Sequence, residues 1–123
     1  MTGYHLSIGY LSGESIVDDR GKAWDCLRMA VGKISQSPER LTEEAVRVQS
    51  GIDRQKCREV ADAMHPDAGS NAITLINHQQ QVMLTASGGG EYRPIKEAVS
   101  RAFCRLAIEE LHKLGIEVNL TVA

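Results

Sequence analysis

Apolar and polar residues alternate at the start of the chain, where Tyr4, Leu6, Ile8 and Tyr10 are interleaved with His5, Ser7 and Gly9. A period of two marks a half-buried strand, because successive side chains on an extended backbone point to opposite faces. "SGESIVDDRGK" breaks that period with two glycines and an aspartate pair. Beyond it Ala23, Trp24, Leu27, Met29, Ala30, Val31 and Ile34 recur at helical spacing, which predicts a first helix from about Asp19 to Ser35. In "SQSPER" Ser37 can cap and Pro38 suits a first helical turn. Thr42, with Glu43 and Glu44 behind it, is a second cap candidate, so the next helix is expected from about Glu43 to Ser50.

From Leu41 to Met64 the apolar pattern changes phase. Leu41, Ala45 and Val48 define one stripe, and Cys57, Val60, Ala61 and Met64 define another. The step from Ile52 to Cys57 is about 140° out of register at roughly 100° per residue, which favours two helices over one continuous helix. Gly51 supplies the break, since glycine accepts positive φ, and Asp53 is placed to cap the helix that follows.

After the turn-rich "HPDAGSN", the β-prone runs "AITLIN" and "QVMLTA" flank "HQQ" and predict a hairpin. Ile73 and Leu75 fall in one alternation class and Ala72 and Ile76 in the other, so these strands are expected to be central or covered on both faces. Pro94 opens a long helix whose stripe is Ile95, Val99, Ala102, Phe103, Leu106, Leu111 and Leu114. His112 and Lys113 suit its last turn and Gly115 its left-handed stop. Ile116, Val118, Leu120 and Val122 then alternate with Glu117, Asn119 and Thr121 as a final strand. The order strand, three helices, two strands, helix, strand implies a single α+β domain over residues 1–123 with a mixed sheet of about four strands. If the last two strands are parallel neighbours, the helix between them crosses over right-handed.

Composition narrows the function. The 123 residues are 42% hydrophobic and 24% charged, with no run near the roughly 18 apolar residues of a membrane span. The first ten residues lack a basic segment followed by an apolar run, so a cytoplasmic location is the expectation. Cys26, Cys57 and Cys104 are an odd count with no CxxC pair, each among apolar residues at helical spacing, which points to buried reduced thiols. A net charge of −2 confines any nucleic-acid contact to a local patch, and 4% aromatic residues are too few for a base-stacking platform.

Against this background the residues around Gly51 resemble the helix-turn-helix of winged-helix DNA-binding regulators. Leu41 and Thr42, Val46, the run Gly51-Ile52-Asp53-Arg54, Cys57 and Val60 stand at that motif's positions, and the resemblance extends to Thr85. Arg47 and Ser50 stand where the family commonly has a small and an apolar residue. The resemblance implies that the second helix lies in the major groove, with Arg54, Gln55, Lys56 and Arg58 offered to base edges and phosphates. It also implies that the hairpin "AITLINHQQQVMLT" stands where the wing would. Glu43, Glu44, Glu59 and Asp62 lie close to those cations and oppose phosphate.

A second candidate is the loop "LTASGGGEYRP". A glycine run between strand and helix can turn backbone N–H groups toward an anion, here with Ser87, Gly88, Gly89, Gly90, Tyr92 and Arg93. It lacks both the Gly-Lys-Ser/Thr ending of a P-loop and the GxGxxG spacing, so a flexible connector explains it as well. No catalytic constellation emerges. Asp18-Asp19 suits a solvated turn, and His5, His65, His78 and His112 share no metal-ligand spacing.

Two readings result. The first is a non-enzymatic DNA-binding regulator, dimeric through the helix of residues 95–114, where Ile108 lies off the main apolar stripe. The alternative is an α+β oligomer that takes a small anionic, nucleotide-like ligand or a protein partner through the sheet and the 87–93 loop. Neither calls for a metal, a cofactor or a membrane.

Overall fold

The computed structural model describes residues 2–9, 19–64, 73–78, 81–88 and 92–122. The elements follow in the order β1 (Thr2–Gly9), α1 (Asp19–Ser35), α2 (Pro38–Val48), α3 (Arg54–Asp62), β2 (Ile73–His78), β3 (Gln81–Gly88), α4 (Arg93–Lys113) and β4 (Glu117–Val122). The expected α+β domain on a mixed sheet is corrected on two counts. Of the residues whose side-chain placement is described, 77% are helical, all in four helices, so helices supply most of the described interior. Along the backbone, the strands lie in the order β2-β3-β1-β4 and every pairing is antiparallel. The order of elements implied a mixed sheet, with a right-handed crossover if β3 and β4 were parallel neighbours. They run the same way, but β1 is inserted between them and pairs with both.

The register sorts the strand residues by face. Leu75, Leu84, Leu6 and Leu120 form one cross-strand row, and Ile73, Ala86, Tyr4 and Val122 form another on the same face. Leu84 and Ala86 are buried in the core cluster, which places that face toward the helices. The intervening row is Thr74, Thr85, His5 and Thr121, and the next row of that opposite face is Ile76, Met83, Ser7 and Asn119, polar in sequence apart from Ile76 and Met83.

Helix α4 is the hub. It packs on β3, β1 and β4 on one side and on α1, α2 and α3 elsewhere. Its 21 residues bury Val99, Ala102, Phe103, Leu106, Ala107 and Leu111, against Leu27 and Ile34 of α1 and Leu41 of α2 in the same cluster. Each such large side chain, fully withdrawn from water, contributes on the order of 2 kcal/mol. Ile108, which suggested a free apolar face, is partly buried against this core. Exposed on α4 are Arg93, Pro94, Arg101, Arg105, Glu109, His112 and Lys113, and Leu114, which follows it, is 41% exposed.

The helix ends show why the elements stop where they do. Gly115 has φ 77°, the Gly115 N–H donates to the His112 carbonyl and the Ile116 N–H to the Leu111 carbonyl, both at 3.0 Å. This is a Schellman stop, completed by the buried pair Leu111 and Ile116. Helix α2 begins four residues before the expected Thr42 cap. Pro38 occupies the first turn, and the Thr42 hydroxyl, fully inside the helix, donates to the Pro38 carbonyl at 2.7 Å.

Candidate nucleic-acid interface

The turn between α2 and α3 takes the form the phase shift requires. Gln49 is extended, Gly51 has φ 81°, and the Asp53 carboxylate accepts from the N–H groups of Gln55 at 2.9 Å and Lys56 at 3.2 Å. Those two bonds satisfy donors that the first turn of α3 would otherwise leave open. Helix α3 packs on α2 and α4 through the buried Cys57 and Ala61, with Val60 half-buried beside them. Its other face is turned to solvent.

That outer face carries the four residues singled out in the sequence, but three of them are engaged. Arg54 pairs with Glu43 of α2. The Arg58 Nε donates to Glu39 of α2 at 2.9 Å, while its Nη1 is buried with no acceptor among the described residues. Lys56 lies 3.6 Å from Glu59 and 4.8 Å from the centre of the Tyr92 ring. Glu59 first, and Tyr92 after it, hold the Lys56 ammonium above its ordinary pKa. Gln55 is exposed.

The glycine-loop candidates divide differently. Ser87 and Gly88 belong to β3 by backbone, and Gly89 and Gly90 lie outside the described residues. Tyr92, at φ 60°, is the left-handed residue immediately before α4 and is exposed. Arg93 donates to Glu97 at 3.0 Å on the next turn. The stack of Lys56 on Tyr92 brings this one residue of the loop candidate against α3.

Two charged features were missed in the sequence. Glu39 and Glu43 are one turn apart on α2, Arg54 and Arg58 one turn apart on α3, and they pair in antiparallel order as a two-rung ladder. The matched spacing of four was visible, but nothing in the sequence says which faces meet. The second is Glu110, only 5% exposed on α4. It receives Arg40 of α2 at 2.8 Å, Lys113 at 3.3 Å and Lys33 of α1 at 3.6 Å. The Arg40 guanidinium, with Lys113 behind it, holds the Glu110 carboxyl below the usual carboxylate range. Arg47 does the same for Glu44, aided by Arg105, which approaches to 3.3 Å. The open groove these α2 and α4 side chains border, about 580 Å³, is lined by Arg40, Glu43, Glu44, Arg47 and Glu109 over Val46 and Leu106.

All three cysteines are free and buried, and burial pushes Cys104 up to about 12, far from the thiolate a nucleophile or metal ligand needs. Among the described residues no three acidic, His or Cys side chains gather to hold a metal ion, and no helix is long and apolar enough to cross a membrane. No family model, curated protein or solved structure matches the chain.

Proposed function

We propose that this protein binds duplex DNA through the outer face of α3, acting as a small non-enzymatic regulator. The observation that carries this reading is the position of α3. It follows a left-handed glycine turn, buries Cys57 and Ala61 against α2 and α4, and leaves Arg54, Gln55 and Lys56 on the solvent side of its first turn. Arg and Gln are the side chains that read guanine and adenine edges, and Lys suits phosphate. Tyr92 against Lys56 extends the face toward the start of α4, where Arg93 adds a further cation.

Fluorescence anisotropy with a labelled mixed-sequence duplex tests this reading. The wild type should bind at low salt, with log K falling linearly with log[salt]. Arg54→Ala combined with Lys56→Ala should abolish that binding while shifting the melting temperature little, because both side chains are at the surface. Retention of full duplex affinity by the double variant, or no salt-dependent binding by the wild type, would end the proposal.

A further inference from the structure

Resting on the DNA reading above, we infer that Glu39 and Glu43 of α2 form an autoinhibitory contact. They occupy the Arg58 and Arg54 guanidiniums as internal stand-ins for phosphate and must be displaced before α3 engages a duplex. Both acids are mostly exposed, at 73% and 58% of their side chains. Exposed pairs of this kind add about 0–1 kcal/mol to a fold, so their stabilising role is small. Their effect on the field of α3 is larger. Two of the three cations on its reading face are neutralised by carboxylates from a neighbouring helix, and a phosphate gains those contacts only by exchange.

Arg58 gives its Nε to Glu39 at 2.9 Å, and a phosphate, which bonds a guanidinium best through two parallel N–H groups, competes for that same edge. Lys56 is held differently, by Glu59 of its own helix and by the Tyr92 ring. It is the cation left to make the first approach.

Glu39→Gln with Glu43→Gln removes the competitor and keeps side-chain size. Its affinity for a mixed-sequence duplex should be compared at one salt concentration with that of the wild type and of Glu109→Gln, which removes an acid from a pair with Arg40, a cation outside α3. With no carboxylate to displace, the double variant should bind about tenfold more tightly than the wild type and than Glu109→Gln. A double variant that binds where the wild type does not would equally support the inference. An affinity no higher than that of the wild type or of Glu109→Gln would overturn it and leave the DNA reading standing, whereas no binding by any of the three overturns both. If circular dichroism shows the double variant unfolded, Glu39→Gln and Glu43→Gln measured singly should each raise the affinity about threefold, and an unchanged affinity for both is the contrary result.

Discussion

At the scale of single residues, Gly51 has the clearest local task. With φ at 81° and no atom within 4 Å of where a Cβ would stand, space is not its constraint; only the backbone conformation is. An alanine there must adopt the left-handed region at a cost of about 1 kcal/mol, while asparagine, which visits that region more readily, should cost less. Urea unfolding of Gly51→Ala and Gly51→Asn should therefore rank wild type, asparagine, alanine in falling stability. An alanine variant as stable as the wild type would mean that the turn relaxes to another form. The same residue shows how much of the site was legible. The break at Gly51 and the cap at Asp53 follow from local chemistry and were readable, as was the outward set on α3. The pairing of Glu39 and Glu43 with Arg58 and Arg54, and the stacking of Tyr92 on Lys56, were not, because each contact reaches α3 across a gap that only packing closes.

At the scale of elements, the charged residues of α1, α2 and α4 tie the helices together around Glu110. Arg40→Ala removes the closest cation and leaves Lys33 and Lys113, both largely exposed, to balance a buried carboxylate. A buried charged acceptor that loses its best donor costs on the order of 2 kcal/mol. The pH dependence follows from the direction of the shift. The folded-state pKa of Glu110 lies below its ordinary value of 4.5, so the stability its ionisation adds is complete above that pH and is lost as pH falls through the depressed pKa. Glu44 contributes in the same sense. The gap between wild type and Arg40→Ala should thus be full at pH 7 and shrink steadily below about pH 4.5 as Glu110 takes up its proton. Denaturant melts at pH 7, 5 and 3 measure it, and a gap independent of pH would assign the effect of Arg40 to packing alone.

At the scale of the whole molecule, the chain returns at its end to a strand laid down at its beginning. Periodicity gave the four helices and their order, because amphipathic spacing is a local property of helices such as α1 and α4. It could not give neighbours: alternation in β1 says that one face is covered, and nothing in those residues says that β3 lies on one side and β4 on the other. The error of a mixed sheet came from that gap. The inserted position makes β1 the strand on which the others depend. Its backbone pairs from Thr2 to Ser7 with β3 and from Tyr4 to Gly9 with β4, whereas β3 and β4 have no pairing with each other. Removing residues 2–9 leaves β4 with no partner and β3 with β2 alone, and an isolated two-stranded hairpin is marginal in water. Helix α4, which packs on all three of these strands, loses part of its seat as well. The truncated chain should keep much of its helical circular dichroism yet lose a cooperative thermal transition, and a synthetic peptide of sequence TGYHLSIG added in excess should restore it in a concentration-dependent way. A truncated chain that melts as sharply as the intact protein, and within a few degrees of it, would show that the helices form a cooperative core without the strand between β3 and β4.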